Sequence, residues 1–564
     1  MMKTITTQKV NCKDCHRCVR SCPVKAIGIE KGHARLVDDK CIFCGKCVVE
    51  CPQKAKQVEN QLALIQEAIA SGRKMIMSLA PSFAGNFPEY TAALLAGAIV
   101  ELGFTAVEET AIGAEVVSRF YSSLLKVENK TIISSCCPVI VNLVEKYYPA
   151  LVDNLAPMMS PMMTHGQILK HKYGNDAFVV FAGPCIAKMA EIENADCQYI
   201  DAVITFDQLK KWLNHSNLEP STATFDDEAL GNCRYLPIPG GILKSFMKHD
   251  ETDTEIIAVD GIKKCMEVLD GLSSGVISPR FIEALACTGG CVAGPVNGNS
   301  FCTPAKKAKV VAFAKSGNND IQHLISADLN FNHEYRSRPV AIVMPRKDEI
   351  AGILAQTGKR IPKDEKNCGA CGYNTCREKA IAVYQGLAEI DMCIPYMRSK
   401  AESFANVIVD NSLNGIIVVN DKMVIQEFNP AAERMFNKRC DMVKGLNLAE
   451  VIDCTDFVEV AASGRKIVRK RVKYPLLELT TEQMIIPVPE HGLVFGILID
   501  VTANEKRDQE IEQIKLDTVE KATEVITKQM QVAQEIAGLL GETTADTKGA
   551  LLELIGLIKG KGEK

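Results

Sequence analysis

No apolar stretch in this chain approaches the roughly 18 residues that a membrane-spanning helix needs, and the longest candidate, Ala92 to Val100, is cut off by Glu101. The opening residues, Met-Met-Lys-Thr-Ile-Thr-Thr-Gln-Lys, lack the apolar core of a secretion signal. Charge of one sign is also lacking, since 65 Lys and Arg stand against 69 Asp and Glu for a net of -4. These absences predict a soluble, cytoplasmic protein with no membrane partner. A composition of 47% apolar and 24% charged residues excludes a disordered or collagenous chain. At about 100 to 200 residues per domain, 564 residues predict several domains. In a reducing compartment, 23 cysteines are not a disulfide framework. They must be ligands or reactive thiols.

Eight of them fall in the first 51 residues, as Cys12, Cys15, Cys18, Cys22-Pro23 and again as Cys41, Cys44, Cys47, Cys51-Pro52. The repeated C-x2-C-x2-C-x3-C-P run is the pattern of a two-cluster [4Fe-4S] ferredoxin, in which the fourth Cys of each run crosses to the other cluster. One cluster is therefore assigned Cys12, Cys15, Cys18 and Cys51, and the other Cys41, Cys44, Cys47 and Cys22. His16, inside the first loop, is expected to be exposed and not a ligand. Residues 1–57 hold twelve Lys and Arg against five Asp and Glu. That basic surface could steer an acidic redox partner such as a ferredoxin, compensate the anionic clusters or face the acidic remainder of the chain.

A later set, Cys368, Cys371, Cys376 and Cys393, is spaced C-x2-C-x4-C-x16-C, with Gly369 and Gly372 bending the loop. Four thiolates suit either an iron-sulfur cluster or a structural zinc. Between these cysteine-rich regions, helical patterns alternate with β-rich runs at Lys74–Leu79, Thr131–Ile133, Ala177–Phe181 and Val340–Met344, which predicts an α/β domain with mostly parallel strands. Residues 398–503 change character. Gly415–Val419 and Leu493–Ile499 bracket a segment in which Asn429-Pro430 opens a helix as N-cap and first helical residue, the outline of a small α+β module. Beyond Thr502 the chain is charged and helical. Ile511, Ile514, Val525, Val532, Ile536 and Leu539 could form a coiled-coil seam or pack on a neighbouring domain, with Thr518 weakening the seam. Cys197, Cys233, Cys265, Cys302, Cys440 and Cys454 fit no ligand spacing and are mostly expected to be small apolar fillers.

Three separated loops of the α/β region supply five thiols: Ser134-Ser135-Cys136-Cys137-Pro138, Gly183-Pro184-Cys185-Ile186-Ala187-Lys188-Met189-Ala190-Glu191 and Glu283-Ala284-Leu285-Ala286-Cys287-Thr288-Gly289-Gly290-Cys291. Here the chain closely resembles the [FeFe]-hydrogenases, whose signatures run T-S-C-C-P-x-W, M-P-C-x-x-K-x-x-E and E-x-M-x-C-x-x-x-C. The resemblance implies that Cys137, Cys185, Cys287 and Cys291 hold the [4Fe-4S] part of an H-cluster, and that Cys291 bridges to a two-iron subsite carrying CO and CN ligands. It further implies that Lys188 binds one cyanide, that the loop Ala80-Pro81-Ser82 lies beside the other, and that Cys136 exchanges protons with the open iron position as a general acid/base.

Departures from the family pattern accompany these matches. Val139-Ile140 stands where Gly and Trp are usual, Gly183 and Leu285 replace two methionines, and Gly294-Pro295-Val296 replaces a glycine run. Glu109 matches the inner carboxylate of the family's proton relay, but Ile112 occupies the place of the outer one and Ala156 that of a hydroxyl. Neither carries a proton, so bridging water or a route through Glu115 would be needed, and slow turnover is expected.

Two further resemblances complete the layout. Residues 368–393 are similar to a four-cysteine iron-sulfur domain of redox proteins, and residues 400–502 to a PAS domain. No kinase, cyclase or nucleic-acid-reading element follows residue 503, so output is expected to pass to a separate signalling protein of kinase or phosphatase type.

The expected architecture is multidomain α/β and α+β. A ferredoxin-type domain spans 1–57, an H-cluster domain 58–350, a four-Cys domain 351–397, a PAS domain 398–503 and C-terminal helices 504–564, with a homodimer through PAS and the C-terminal helices as one candidate assembly. The whole resembles the sensory [FeFe]-hydrogenases, implying slow heterolytic cleavage of H2 and redox relay to PAS through three [4Fe-4S] clusters outside the active site. The alternatives are a metabolic, ferredoxin-linked hydrogenase and a non-enzymatic iron-sulfur scaffold lacking the two-iron subsite.

Overall fold

A computed structural model describes residues 4–193, 198–216, 222–246, 255–297, 301–319, 326 and 328–540. Two compact units divide it, Met1–Tyr396 and Met397–Lys564.

The first unit begins with two antiparallel pairs. Strand β1 (Ile5–Thr7) is completed by β4 (Lys56–Val58), and β2 (Ile27–Glu30) turns into β3 (His33–Leu36). The thiol loops sit between these strands and need left-handed turns. Gly45 has φ 71°, and a Cβ there would lie 2.7 Å from Pro295 and 2.8 Å from Ile186, so only glycine lets the second thiol loop press onto the α/β region. His16 departs from expectation. It is buried at 8% exposure with its Nε2 3.0 Å from Asp14 Oδ1, because its left-handed backbone, φ 55°, turns the ring inward.

Among the described residues seven strands form the α/β region: β5 (Met75–Leu79), β6 (Ala106–Glu109), β7 (Ile132–Ile133), β8 (Phe178–Gly183), β9 (Ala202–Thr205), β10 (Ile256–Asp260) and β11 (Phe281–Leu285). One parallel sheet has the order β6-β5-β8-β9 and a second, also parallel, β10-β11-β7. Every residue of β5, β6, β8, β9 and β11 is buried. Strands covered on both faces read as continuous apolar runs, which is why Lys74–Leu79, Thr131–Ile133 and Ala177–Phe181 were legible. Val340–Met344 is not a strand. It runs extended with Ile342, Val343 and Met344 more than half exposed, tied down by Val340 N–H donating to Lys146 O at 3.1 Å. Its apolar residues meet no sheet edge.

The four-cysteine segment leans on the ferredoxin-type strands. Ile29 N–H donates to Leu387 O at 3.0 Å, Lys25 Nζ to Gly372 O at 2.8 Å and Lys31 N–H to Glu389 Oε1 at 2.6 Å. Val19, Ile27, Tyr373, Leu387 and Met392 share one apolar cluster, so burial of common surface holds these segments together.

In the second unit, β12 (Gly415–Asn420), β13 (Ile425–Phe428), β14 (Ile467–Tyr474), β15 (Leu479–Val488) and β16 (Leu493–Asp500) make an antiparallel sheet of order β13-β12-β16-β15-β14. Asn429 organises its opening helix. Its Oδ1 accepts from Ala432 N at 2.9 Å and Ile416 N at 2.7 Å, while its Nδ2 donates to Asn414 O and Val409 O. A helix Thr502–Leu540 leaves the last strand, its Glu505 held by Lys473 at 2.8 Å and Arg471 at 3.0 Å. Among the described residues this is one helix where several were expected. Ile511, Ile514, Val525, Val532 and Ile536 stand exposed along it. Residues 541–564 and the side chain of Leu539 lie outside the description, as does Cys197.

The helix Ala111–Val127 crosses the helix Pro161–Tyr173 at Gly113, where a Cβ would lie 2.2 Å from Pro161 O and 2.9 Å from His165 Cβ. Overpacking a close contact costs about 1–3 kcal/mol. Gly113→Ala is expected to destabilise the first unit by that amount, read as a lower denaturant midpoint at unchanged slope; an unchanged midpoint would show that these helices do not approach so closely.

Candidate active site and cluster sites

The loops that leave β5, β6, β7, β8 and β11 emerge at the carboxyl ends of parallel strands, where α/β folds place their sites. They wall a cavity of about 70 Å³. Ala80, Pro81, Ser82, Cys136, Cys185, Lys188 and Cys291 all line it, together with Thr110, Phe181 and Leu285. Phe181 bears on one of the departures, because its ring lies 2.6 Å from where a Cβ on Gly183 would be. The space freed at Gly183 is thus filled by a neighbouring aromatic ring.

Charge and hydrogen bonding are set by few groups. Lys188 Nζ donates to Glu191 Oε2 at 2.7 Å and to Ser160 Oγ at 2.8 Å. Burial would lower the Lys188 pKa, but Glu191 outweighs it and holds the ammonium charged. Burial pushes the Cys136 thiol up to about 12, against a hydrogen bond from Tyr121 that draws it down. Tyr121, which sequence reasoning missed, places its hydroxyl 3.4 Å from Cys136 Sγ and 3.1 Å from Ser135 Oγ. The signal was a phenol in the buried stripe of the helix Ala111–Val127, three residues after buried Ser118. Ser135 Oγ donates to Met158 O, as does Tyr335 Oη. Beyond these lies a polar cavity of about 640 Å³ lined by Ser135, Tyr335, Glu145, Glu191 and Arg338. Burial raises Glu283 to about 7.

Glu109 does not line the active-site cavity. It is completely buried and ion-paired with Arg234, whose Nε donates at 2.8 Å and whose second nitrogen also bonds to the carboxylate. Burial pushes the carboxyl up and the guanidinium draws it down. Arg234 comes from a segment 125 residues away, so the pairing was invisible in sequence. Ile112 and Ala156 are buried too. Glu115, the suggested detour, is buried and paired with Arg119 beside a cavity that also receives Ser118, Cys233 and Ser245.

The cluster thiols gather as well. Cys12, Cys15, Cys18 and Cys51 line one small cavity, and Cys22 acts electrostatically on Cys41, Cys44 and Cys47. Cys44 acts likewise on Cys287, as do Cys137, Cys185 and Cys291. Cys368, Cys371, Cys376 and Cys393 line a cavity of their own. Among the described residues no three His, Cys, Asp or Glu side chains close on a single-ion position; the first ferredoxin-type set and the four-cysteine set each line a cavity, and Cys185 and Cys291, but not Cys137 or Cys287, line the active-site cavity. Of the unassigned cysteines, Cys233 and Cys265 are buried, whereas Cys302 is exposed and fills nothing. The donor chemistry fits iron-sulfur centres, and the fully buried Ser82 Oγ, which has no hydrogen-bond partner, offers the active-site cavity a free donor for an anionic ligand.

Fold and site together define an iron-sulfur type of protein with several thiol sites, joined to a small α+β module. Family comparisons agree. Residues 73–295 match the iron only hydrogenase large subunit, C-terminal domain, residues 4–52 a 4Fe-4S dicluster domain, residues 364–395 an Fe-S cluster domain and residues 404–472 the PAS fold. Iron hydrogenase 1 of Clostridium pasteurianum is 26% identical over 370 residues, covering 52% of this chain and 64% of that protein. The match thus spans slightly under two thirds of that relative's length. The periplasmic [Fe] hydrogenase large subunit of Nitratidesulfovibrio vulgaris is 25% identical over 359 residues, covering 51% and 85%. A solved [FeFe]-hydrogenase from Chlamydomonas reinhardtii covers 49% of this chain and 99% of its own at 17% identity, with a TM-score of 0.40. Over residues 73–295 the chain is thus similar to the [FeFe]-hydrogenases, and over residues 404–472 to PAS domains. No described helix is long and apolar enough to cross a membrane.

Glu108 generates a pH prediction. It is buried and accepts from Tyr173 Oη at 2.6 Å and Lys172 Nζ at 2.7 Å, with His165 Nε2 3.5 Å away. Burial would raise its pKa, but His165, Lys172 and Tyr173 outweigh it and hold it at about 2, below the ordinary 4.5. A carboxyl depressed by folding contributes stability that is whole above its unfolded pKa and is lost as pH falls through the folded one. Glu108→Gln is therefore expected to cost on the order of 3 kcal/mol at neutral pH. The cost should shrink as pH drops from about 4.5 towards 2; a pH-independent difference in denaturation would remove the ionic explanation.

Proposed function

We propose that this chain is a sensory [FeFe]-hydrogenase, which binds and slowly splits H2 and passes the resulting redox change through iron-sulfur centres to its PAS domain. The observation that carries this is the convergence of Cys136, Lys188, Ser82, Cys185 and Cys291 on one cavity, while Glu109 is held by Arg234 and Ile112 and Ala156 interrupt the outer relay. Cys137, Cys185, Cys287 and Cys291 would hold the H-cluster, which when bound supplies heterolytic H2 chemistry.

The chain's own residues do the rest. Lys188, charged through Glu191, presents a fixed cation to an anionic ligand, and Ser82 a hydroxyl. Cys136 holds a proton at Sγ beside the cavity, and the Tyr121 hydroxyl at 3.4 Å is positioned to exchange it. From Tyr121 the proton passes to Ser135 Oγ and the polar cavity beyond, a longer path than a carboxylate chain. Leu285, Phe181 and Pro161 keep the pocket apolar. The second ferredoxin thiol set acts electrostatically on Cys287 through Cys44, and Lys25 and Tyr373 each feel both Cys22 and Cys371. This ordering supports an electron path from the active site through the Cys22, Cys41, Cys44, Cys47 centre to the four-cysteine centre, for three [4Fe-4S] clusters outside the H-cluster. Cys393 directly precedes the helix Ile394–Asp410, whose far end leads into β12. A separate signalling protein would receive the output; ferredoxin exchange belongs to the metabolic alternative.

Hydrogen titration of the matured protein, followed by infrared and electron paramagnetic resonance, tests this proposal. Hydrogen is expected to shift both the CO/CN bands and the cubane signals at a steady-state rate far below that of a metabolic enzyme. Unchanged cubane signals would exclude the relay, and fast turnover would favour the metabolic alternative. Tyr121→Phe, which keeps the ring and removes the hydroxyl, should slow H2/D2O exchange by about 10²-fold while leaving the infrared bands in place; unaltered exchange would discard the Tyr121 step.

A further inference from the structure

The thiols of the ferredoxin-type sites receive their hydrogen bonds from backbone amides: Ala34 N to Cys12, Ala26 N to Cys22, Phe43 N to Cys41 and Ala55 N to Cys51, at 3.2–3.5 Å. Cys393 is different. Its Sγ accepts from the ammonium of Lys359 at 3.2 Å. Lys359 is 8% exposed, and its remaining hydrogen bonds go to neutral acceptors, Thr357 O at 3.2 Å and Thr357 Oγ1 at 2.9 Å, while Asp364 acts on it electrostatically. The wall of the four-thiol cavity also includes Lys366 and the buried Lys379, and contains no Asp or Glu. In the first ferredoxin site the wall holds Lys13, Arg17 and the buried Lys56 beside Asp14, but the Lys56 ammonium donates to Thr7 Oγ1 instead of to a thiol.

We infer that Lys359 makes the four-cysteine centre the electron-collecting end of this chain, the most easily reduced of the iron-sulfur centres outside the active site. Each electron a thiolate-bound cluster accepts adds one negative charge, so a cation fixed within hydrogen-bond distance in a water-poor setting favours the reduced form more than the oxidised one. Hydrogen bonds to the sulfurs, net charge and exposure are the protein's means of setting such potentials. An electron arriving from a reduced ferredoxin-type centre oxidises that donor and reduces the four-cysteine centre, with no bond broken and no proton transferred. Lys359 is thus a positioning residue for charge, and the centre whose charge it controls is ligated by the residue that precedes the helix into the PAS unit. The inference rests on the four thiols holding an iron-sulfur cluster and is independent of whether H2 reacts.

The test is a redox titration of the full-length, cluster-loaded protein followed by electron paramagnetic resonance, with the four-cysteine signal identified by its loss in Cys376→Ser. That signal is expected to titrate at a higher potential than both ferredoxin-type signals. Lys359→Met should move it downward and leave the others in place, and Lys359→Arg should restore most of the wild-type value. Should Lys359→Met fail to retain iron, Lys359→Gln removes the charge while keeping a donor. A four-cysteine centre that titrates below the ferredoxin-type centres overturns the inference. So does a potential that does not respond to loss of the charge, or one that shifts together with all the others. A protein inert to H2 would still give this titration, so failure of the hydrogenase proposal and failure of this one are separable.

Discussion

Everything in the first unit depends on a conflict between burial and charge at sulfur. A cysteine binds iron as a thiolate, yet burial pushes the thiols of Cys22, Cys41, Cys44, Cys47, Cys185, Cys287 and Cys291 upward, toward the protonated form that binds no metal. Iron bound there would resolve that conflict by replacing the proton, coupling cluster binding to folding. The packing follows from it. The ferredoxin-type strands, the carboxyl ends of two parallel sheets and the four-cysteine loop are drawn together because each surrounds thiols that need a dry, donor-rich enclosure.

Enclosures of this kind need positive partners, and the chain supplies them in graded form. Backbone amides serve the ferredoxin-type thiols, Lys188 serves the active-site cavity and Lys359 serves Cys393. An amide carries a partial charge and an ammonium a full one, so the gradation carries information about where an electron comes to rest. A basic surface on residues 1–57 left three explanations open, and part of it now has a location. Arg20, Lys25 and Lys40 reach acceptors on the four-cysteine segment. Those side chains stitch the first unit together and are not wholly available to an outside partner.

Proton and electron handling diverge in what they retain of the family pattern. The cysteines proposed as ligands match that pattern, whereas the positions proposed for the carboxylate relay belong to the core: Glu109 pairs with Arg234, and Ile112 and Ala156 pack in apolar surroundings. A buried ion pair of this kind is costly to break from one side, about 3–5 kcal/mol, which makes Glu109 a poor shuttle. A group that must take up and release protons cannot also be the buried, hydrogen-bonded counter-charge of a guanidinium.

Local spacing by itself determined a good deal. The duplicated cysteine run, the three thiol loops, the fully buried strands and the Asn429-Pro430 helix start all depend on covalent distance along the chain, so they were legible in order of residues alone. The cases that failed were decided by partners far away in sequence. Val340–Met344 has strand composition but no open sheet edge. His16 sits in a loop that would normally face water, yet its left-handed backbone turns it inward. Glu109 met Arg234 across 125 residues, Tyr121 met Cys136 through a helix laid beside a strand end, and Lys359 met Cys393 across 34 residues. Spacing says which atoms can bind iron, because a cluster needs several thiols within a short reach. Only the tertiary structure says which charges and hydroxyls surround those atoms, because electrostatic contact is set by distance in space.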